Sequence, residues 1–371
     1  MHTGIDISRI ATTMRTGTEQ YTCEVLAAIA RLDTTNTYTL YCQRLPATLP
    51  PLGANMRVRC IPLPRLWTHV RLSVEVLRHA PDVLFIPAHV LPLGAPLVRR
   101  MRTVVTIHDL GYLRYPDAHT TAQRLYLRLS TVWSARAASH LIAVSAATRN
   151  DLVRLAKVSP ARVTVVHHGV ADRFRQPVVD LECARKIAGG NEPYFLYVGT
   201  VQPRKNLERI IEAFADASAQ LTDQGRTPVL VIAGKRGWLS ERIAQRAAAL
   251  GVADRVRFVG YVADEDLLAL YRASLAFVFP SLYEGFGMPV LEAMACGAPV
   301  LTSNSSSLPE VAGDAALLVD PHDTGAIAAG MVRLARDEAL REELQQRGYR
   351  RAAQFTWDRC AEETLRVLYG S

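Results

Sequence analysis

Short apolar runs alternate with longer amphipathic segments along the chain of 371 residues, and this alternation limits the fold more than any other feature. Runs of about four to six apolar residues suit strands that are buried on both faces, and the segments between them have helical periodicity. This pattern predicts parallel sheets covered by helices on both sides. Thirteen strands are predicted, at residues 4–7, 37–41, 57–61, 83–86, 104–107, 141–144, 163–166, 195–198, 229–233, 256–259, 276–279, 299–302 and 316–318.

The predicted strands fall into two groups, which indicates two domains. Seven strands lie before residue 169 and six after it, and a turn-rich stretch over residues 169–179 separates the groups. With 49% hydrophobic residues, the chain can bury two cores of ordinary size. We therefore predict an α/β protein with two Rossmann-like domains, although no sequence repeat relates the two halves.

The net charge of +8 is distributed unevenly along the chain. Residues 1–171 contain 20 Lys and Arg against 9 Asp and Glu, which gives +11, whereas residues 172–371 carry −3. The basic half favours an anionic partner, and a lipid phosphate or an anionic membrane surface would fit. A solvated arginine-rich face explains the same composition equally well. Nucleic acid is not expected as a partner, because no recognised binding motif accompanies the charge.

Features that the sequence lacks argue against several protein classes. No apolar run reaches the length of about eighteen residues that a membrane span needs. Residues 1–10 lack the apolar core of a signal peptide. The six cysteines are scattered without a C-x-x-C pair, which predicts neither a disulfide framework nor a zinc site. Together these features predict a cytoplasmic protein, either free or peripheral on the inner membrane face.

The segment PSLYEGFGMPVLEAMACGAP, residues 280–299, carries the strongest chemical signal. Glu284 stands in a glycine-rich turn, where Gly285 and Gly287 allow the backbone to bend around Phe286. The turn follows directly after a predicted strand, and ligands of open α/β sheets bind beyond the carboxyl ends of the strands. A solvated helix start with stray glutamates is the alternative interpretation.

A second carboxylate follows eight positions later, at the start of a predicted helix. Pro289 suits the first helical position, so that Val290 and Leu291 would offer free N–H groups to a phosphate. Glu292 could accept two hydrogen bonds from a ribose diol. A diphosphate and a ribose together are what a sugar nucleotide presents.

Basic residues follow two other predicted strands of the second half. Arg204 and Lys205 come after strand 195–198, in the motif VGTVQPRKN over residues 198–206, whose second residue is Gly199. Their charges suit the stabilisation of a leaving nucleoside diphosphate, and a chance basic helix start is the alternative. Lys235 follows strand 229–233 and could reach the same ligand, although a solvated loop lysine explains it nearly as well.

Two motifs of the first half also lie beside predicted strands. Gly17 and Thr18 open the first long helix, and a glycine there lets the backbone approach a phosphate. An ordinary helix cap is the alternative. His108 ends strand 104–107 and precedes Asp109, an arrangement that is also common as a purely structural pair.

A metal requirement is not predicted. Asp264 and Asp266 have the spacing of a D-x-D metal motif, but no predicted strand leads directly into them. We interpret Asp264 as the N-cap of a helix over residues 265–272, with acidic residues in its first turn. Basic side chains and helix dipoles would then take the place of a metal ion.

These motifs together resemble family 4 of the retaining glycosyltransferases, which have the GT-B fold. The E-x7-E motif at Glu284 and Glu292, the basic pair, VIAGKRGW at residues 231–238, Gly17-Thr18 and His108-Asp109 occur in the family's order and span nearly the whole chain. The resemblance implies two domains that face each other across a cleft, which narrows when the donor binds. It also implies a last helix that returns to the first domain.

The resemblance assigns roles to the domains and to single residues. Residues 1–171 with 355–371 would bind the acceptor, and residues 172–354 would bind the donor. Arg204 and Lys205 would bind the donor diphosphate, Glu284 the transferred sugar, and His108 the sugar near the reacting carbon. Further donor contacts are implied for Gly17, Thr18, Gly199, Lys235, Tyr261, Val262, Gly285, Phe286, Gly287, Val290 and Leu291, and for Glu292 at the ribose.

The implied reaction is the transfer of a sugar from a nucleoside diphosphate sugar to an acceptor hydroxyl, with retention of configuration and without a cofactor. Substitution on one face is favoured over a covalent intermediate on Glu284. The motifs look most like those of bacterial mannosyltransferases of polysaccharide and O-antigen synthesis, which favours GDP-mannose and a saccharide or lipid-linked acceptor. UDP-glucose and UDP-N-acetylglucosamine stay open as donors. A non-catalytic GT-B scaffold is the alternative of another class, although it would be expected to lose Glu284, Lys205 or His108.

Overall fold

The computed structural model describes residues 1–11, 17–115, 121–176, 180–222, 228–234 and 240–370. The chain divides into two units. The first unit comprises Met1–Gly169 and Phe355–Ser371, and the second comprises Val170–Gln354. Each unit contains one sheet in which all neighbouring strands are parallel.

The first unit is built on a seven-stranded sheet of order β3-β2-β1-β4-β5-β6-β7. Its strands are β1 His2–Asp6, β2 Thr37–Cys42, β3 Met56–Cys60, β4 Val83–Ile86, β5 Arg102–Ile107, β6 His140–Ala143 and β7 Val163–Val165. Its helices are α1 Gly17–Leu32, α2 Ser73–Arg78, α3 Gly111–Arg114, α4 Thr121–Ala137, α5 Ala146–Leu155 and α14 Trp357–Tyr369, and a π-helical segment over Trp67–Leu72 leads into α2.

The second unit is built on a six-stranded sheet of order β10-β9-β8-β11-β12-β13. Its strands are β8 Tyr194–Val198, β9 Val229–Ala233, β10 Val256–Gly260, β11 Ala276–Phe279, β12 Val300–Ser303 and β13 Leu317–Val319. Its helices are α6 Leu181–Ala188, α7 Leu207–Leu221, α8 Ser240–Ala249, α9 Asp264–Ala273, α10 Met288–Ala295, α11 Leu308–Ala312, α12 Thr324–Arg336 and α13 Glu338–Ala353.

The apolar strands lie where their sequence pattern predicts. The four residues of β11 are all buried, as are the five of β9, because helices cover both faces of a parallel sheet. All thirteen predicted strands are present, with ends that differ by about two residues or fewer. The prediction of two Rossmann-like sheets is confirmed.

The last described helix packs against the first unit. Helix α14 lies on α1, and the Tyr369 hydroxyl is 3.0 Å from both Thr3 Oγ1 and the Tyr38 hydroxyl. Arg102 Nη2 donates to the Val367 carbonyl at 3.0 Å. These bonds join α14 to strands β1, β2 and β5 of the sheet.

One prediction about a helix start is wrong. Helix α9 begins at Asp264, and its N-cap is Ala263, which offers no side-chain oxygen. Asp264 therefore lies inside the first turn, where its negative charge interacts favourably with the positive end of the helix dipole. Its carboxylate also pairs with Arg173 at 2.8 Å. Within the described ranges, no helix combines the length and the apolar character that crossing a membrane requires.

We predict that Gly234→Ala strongly destabilises the second unit. Gly234 ends β9 with φ +140°, and a Cβ there would lie 2.2 Å from the Gly199 carbonyl oxygen. Backbone strain and overpacking together should lower the free energy of unfolding by about 3 kcal/mol. Urea unfolding followed by circular dichroism would measure the change. Gly348→Ala is the control: its Cβ would meet only ordinary contacts at 3.5 Å, and we expect no loss of stability. Equal midpoints for the two variants would contradict the prediction.

Candidate active site

The polar residues predicted in the second unit gather where the strand order of its sheet reverses. Strands β8 and β11 are neighbours in the sheet but are separated by β9 and β10 in the chain. Connections therefore leave the carboxyl ends of β8 and β11 toward opposite faces and open a crevice between them. Arg204 and Lys205 follow β8, and Glu284 follows β11, so all three belong to this edge.

The basic pair lies in a single 3₁₀ turn, Pro203–Lys205, that is fixed to the neighbouring strand. Asn206 ends the turn in the left-handed region at φ 64°. Its Nδ2 donates to the carbonyls of Pro280, at 3.0 Å, and of Pro321, at 2.7 Å. The Leu282 N–H donates to the Arg204 carbonyl at 2.8 Å. The turn is thus held against the end of β11 before any ligand arrives.

Glu284 accepts hydrogen bonds from both basic side chains. Arg204 Nη1 lies 3.0 Å from Oε2, and Lys205 Nζ lies 2.6 Å from Oε1. Ser281 Oγ lies 2.7 Å from the same Oε1. The Lys205 ammonium also sits 4.7 Å from the centre of the Phe279 ring, a cation–π distance. The structure thus brings three of the predicted site residues, Arg204, Lys205 and Glu284, into one cluster.

Burial and pairing act in opposite directions on this carboxylate. Glu284 is only 6% exposed, and burial alone would raise its pKa. The charges of Arg204 and Lys205, with hydrogen bonds from Lys205 and Ser281, outweigh burial and lower the pKa of Glu284 to about 2. The carboxylate is therefore ionised at neutral pH, and the three charged side chains together carry one positive charge.

The turn that carries Glu284 is held by two serines that the sequence analysis does not identify. Ser306 Oγ accepts from the Glu284 N–H at 3.0 Å. Ser307 Oγ donates within the same turn, lying 2.7 Å from the Phe286 carbonyl and 3.0 Å from that of Glu284. Both serines follow β12, the neighbour of β11, in the run Ser305–Ser307. A serine run just after a strand is the signal that could have identified them.

The helix that follows the turn begins one residue earlier than predicted. Gly287, at φ 107°, is the N-cap of α10, and Met288 is its first residue. The N–H groups of Val290 and Leu291 both point at the Gly287 carbonyl, at 3.0 and 3.4 Å. The prediction that these N–H groups are free for a phosphate is therefore wrong, because they already lie inside the first hydrogen-bonded turn.

Glu292 has a different environment from Glu284. The Tyr271 hydroxyl donates to Glu292 Oε2 at 3.2 Å. Burial raises the pKa of Glu292 to about 7, although the charge of Arg173 and the bond from Tyr271 oppose the rise. At neutral pH this carboxyl group is thus divided between its two forms. The two glutamates of the E-x7-E motif differ in charge because their surroundings differ.

Glycines close the neighbouring strand ends. Gly199, at φ 153°, donates its N–H to the Ala233 carbonyl at 2.9 Å, and Gly234 donates to the Gly260 carbonyl at 2.7 Å. Tyr261 and Val262 follow directly after Gly260, and the Tyr261 side chain is 60% exposed. These residues lie at the same carboxyl edge as the ionic cluster. Lys235, which was predicted beside them, lies outside the described residues.

The predicted residues of the first unit lie at its own carboxyl edge. Gly17 begins α1, where a Cβ would meet nothing within 4 Å, and the Thr18 carbonyl accepts from Thr22 Oγ1 at 2.9 Å. His108 follows β5 and is 7% exposed. Its Nε2 lies 2.8 Å from the Pro87 carbonyl, which can only accept, so Nε2 carries the proton and Nδ1 can accept a hydrogen bond.

The described part of the chain contains no group of three or more His, Cys, Asp or Glu side chains arranged to hold a metal ion. Asp264, the first member of the D-x-D spacing, is paired with Arg173.

We predict that Glu284→Gln lowers the free energy of unfolding by about 3 kcal/mol at pH 7, because it leaves the buried Lys205 and the partly buried Arg204 without their counterion. The folded-state pKa of Glu284 lies below its ordinary value of 4.5, so its stabilisation is complete above pH 4.5 and is lost as the pH falls toward 2. The gap between the proteins should therefore narrow, by about 1 kcal/mol at pH 4.

Urea unfolding of both proteins at pH 7 and pH 4 would measure the two gaps. Glu342→Gln is the matched control, because Glu342 is exposed on α13, and it should show no gap at either pH. A gap for Glu284→Gln that stays constant with pH would contradict the charge pairing described above.

Two family models match the chain. Residues 15–174 match Glycosyltransferase Family 4, and residues 183–351 match Glycosyl transferases group 1. The chain is 35% identical to the O-antigen chain mannosyltransferase B of Escherichia coli over 300 residues, 80% of this chain and 77% of that protein. It is 34% identical to the serotype-specific mannosyltransferase WbdA of Escherichia coli over 59% of this chain, but this match spans only 27% of that longer protein.

The fold agrees with these matches. The sucrose-phosphate synthase of Thermosynechococcus elongatus superposes with a TM-score of 0.78 at 22% identity, over 100% of this chain and 98% of that one. The chain has two Rossmann-like units with parallel sheets, a basic pair after β8 and an E-x7-E motif after β11. The family matches in both halves of the chain agree with these features. The chain belongs to family 4 of the glycosyltransferases and has the GT-B fold.

Proposed function

We propose that this glycosyltransferase moves a mannosyl group from GDP-mannose to a hydroxyl of a saccharide or lipid-linked saccharide in bacterial polysaccharide synthesis. One observation carries the proposal: the buried cluster of Arg204, Lys205 and Glu284 at the point where the strand order reverses. The choice of mannose rests on the name of the relative at 35% identity, an O-antigen chain mannosyltransferase.

In this proposal the basic pair stabilises the leaving diphosphate. Negative charge grows on the phosphate oxygens as the glycosidic bond breaks, and cations that are already oriented stabilise it without further rearrangement. Arg204 and Lys205 are held in this way by Glu284 and by the bonds of Asn206. Two cations and helix dipoles would supply this stabilisation without a metal ion, and no cofactor besides the sugar nucleotide would be needed.

Glu284 would bind hydroxyls of the transferred sugar and would not attack its anomeric carbon. Its two oxygens are already engaged by Lys205, Arg204 and Ser281, and a pKa near 2 makes the carboxylate a weak nucleophile. This favours substitution on one face of the sugar, with retention of configuration, in which the leaving phosphate helps to deprotonate the acceptor. Glu292 would bind the ribose, and His108 of the first unit would contact the transferred sugar through Nδ1.

We expect turnover with GDP-mannose that continues undiminished in EDTA and yields an α-mannoside.

Lys205→Ala should lower kcat by roughly a hundredfold, because it removes a charge stabiliser. Glu292→Gln should mainly raise the KM for the donor, since a ribose contact is similar in the ground and transition states. Release of GDP from GDP-mannose, with mannose disaccharides as acceptors, would measure turnover, kcat and KM. Nuclear magnetic resonance of the product would determine the configuration of the new glycosidic bond.

The same assay distinguishes the alternatives. Turnover with UDP-glucose or UDP-N-acetylglucosamine in place of GDP-mannose would change the donor but keep the enzyme class. Loss of turnover in EDTA would contradict the metal-independent mechanism. Absence of turnover and of binding with every sugar nucleotide would favour a non-catalytic scaffold. Lys186→Ala is the control variant, because Lys186 is an exposed lysine of α6 and should not affect kcat.

Exposed apolar side chains are concentrated in the first unit, which is also the basic one. Among the described residues, twelve large hydrophobic side chains of the first unit are exposed, against four of the second, although the units are nearly equal in length. Residues 1–171 carry +11 and the remainder −3. Apolar and basic groups together are what the surface of an anionic bilayer attracts.

We call the exposed apolar and basic side chains of α4, of the π-helical segment with α2, and of the segment around Leu97 the apolar–basic surface. It comprises Leu66, Val70, Leu77, Leu97, Leu125, Tyr126 and Leu129, with Arg65, Arg78, Arg99, Arg100 and Arg128 beside them. The His69 ring is 3.2 Å from the Tyr126 hydroxyl, which joins the π-helical segment to α4. Gly94, just before Leu97, lies close to α2: a Cβ built on Gly94 would be 3.1 Å from Leu77 Cδ1. Helix α4 contains no acidic residue.

We propose that the apolar–basic surface rests on the anionic inner face of a membrane, where a lipid-linked acceptor would be found. Leu125→Ser combined with Leu129→Ser should weaken binding to vesicles that contain phosphatidylglycerol by about tenfold, because two exposed leucines no longer enter the bilayer interface. Binding should also weaken at high salt, which screens exposed charges beyond about 8 Å at physiological ionic strength. Vesicle sedimentation would measure both.

The matched control places the same change in the second unit. Leu181→Ser with Leu318→Ser removes two exposed leucines there, which are 45% and 39% exposed, and should leave vesicle binding unchanged. Equal binding to neutral and anionic vesicles, or equal loss in both double variants, would contradict the proposal.

A further inference from the structure

Five rings from five segments of the first unit, His108 among them, form one cluster. The Tyr21 ring of α1 lies 4.8 Å from His108 and 4.8 Å from His168, measured between ring centres. His168 lies 5.4 Å from His108 and stacks on Trp357 at 5.8 Å. His89 completes the group at 5.4 Å from His108. Tyr21, His108, His168 and Trp357 are each less than 10% exposed.

His168 occupies a special place in the chain. The chain leaves the first unit after Gly169 and returns to it at Phe355, so His168 and Trp357 stand beside the two crossings. A Cβ on Gly169 would lie 2.3 Å from the Trp357 nitrogen and 2.5 Å from the Thr356 carbonyl carbon. The two crossing segments therefore touch through their backbones. The His168 ring stacks on Trp357 and also contacts the His108 ring.

Packing of this kind limits the orientation of the His108 ring. The bond from Nε2 to the Pro87 carbonyl fixes one edge of the imidazole, and the rings of Tyr21 and His168 cover its sides. Because the ring cannot turn over without losing these contacts, Nδ1 keeps its direction. A neutral ring of this tautomer can accept a hydroxyl proton in a hydrogen bond but cannot donate one from Nδ1.

The surroundings also keep the imidazoles uncharged. Burial, followed by the neighbouring His89, lowers the pKa of His108 to about 3, and burial lowers the pKa of His168 well below its ordinary value. The ionisable groups that face His108 come from α1, from the segments after β1, β4 and β7, and from its own loop: Tyr21, Arg9, His89, His168 and Asp109.

We propose that His168 and Trp357 are positioning residues, which hold the His108 ring in the orientation that presents Nδ1 to the transferred sugar. This inference rests on the proposed function of His108. It assigns a role in the reaction to the two chain crossings, because the side chains that flank them are the ones that fix this ring. Aromatic packing, and not charge, carries the effect.

Three variants test the inference. In His168→Ala the ring loses its neighbour and water can enter, so the pKa of His108 should move toward 6.5 and its two tautomers should mix. We expect kcat to fall about tenfold, since small misplacements of a reacting group cost that much or more. The Kd for GDP should not change, because Arg204 and Lys205 lie in the other unit. His168→Phe keeps an aromatic ring on Trp357 and should restore most of kcat.

His167→Ala is the matched control. His167 is the adjacent residue and its ring contacts Phe355 at 5.6 Å, so His167→Ala disturbs the same crossing but keeps the His168 ring on Trp357 and beside His108. It should therefore retain the wild-type kcat and the wild-type His108 spectrum. Imidazole ¹⁵N resonances, recorded from pH 5 to pH 8, would report the protonation and tautomer of His108 without any use of turnover.

The outcomes separate this inference from the proposed function. An unchanged His108 spectrum in His168→Ala would overturn the positioning role, as would failure of His168→Phe to restore the tautomer. A changed spectrum with unchanged kcat would support the positioning role and would overturn the assignment of His108 to sugar transfer. Equal effects of His167→Ala and His168→Ala would also overturn the inference, since both would then act only by loosening the crossings.

Discussion

The buried carboxylate of Glu284 is the group on which the carboxyl edge of the second sheet depends. An isolated charge would be costly at this depth, so the site is stable only because Arg204, Lys205 and Ser281 surround it. In return, the carboxylate holds both cations against the ends of β8 and β11. The cations are thus oriented before a substrate binds, which is the condition under which charge stabilisation is most effective in catalysis.

The two units fix their key residues by opposite means. In the second unit the side chains are charged and paired, and ionic hydrogen bonds set their positions. In the first unit burial keeps the imidazoles of His108 and His168 neutral, and ring packing sets their positions. Glu292 lies between these extremes, with a pKa near 7 and one hydrogen bond from Tyr271. Each arrangement matches the electrostatic task that we propose for it.

Much of the fold and part of the site could be predicted from the sequence. The strands were found because buried parallel strands are continuous apolar runs. Arg204, Lys205 and Glu284 were found because each follows such a run, and the carboxyl ends of neighbouring strands meet at one edge. These inferences need only local patterns together with the rule that parallel strands end on the same side.

Contacts that depend on turn geometry could not be predicted. Ser306 and Ser307 reach the Glu284 turn from the adjacent strand β12, and nothing in their local sequence shows how far that turn extends. Helix α10 begins one residue before the predicted start, because Pro289 occupies its second position and not its first. The ring cluster was missed for a related reason: His168 and Trp357 are 189 positions apart, and only the return of α14 brings them together.

The division of the first unit into two stretches of sequence has a consequence for its synthesis. The ribosome releases residues 170–354 before α14, so the second unit can fold while α1 still lacks the helix that covers it. Until then the apolar sides of α1 and β1 are open, and Tyr38 and Thr3 lack their bonds to Tyr369. The half of the enzyme that is translated first is therefore the half that is completed last.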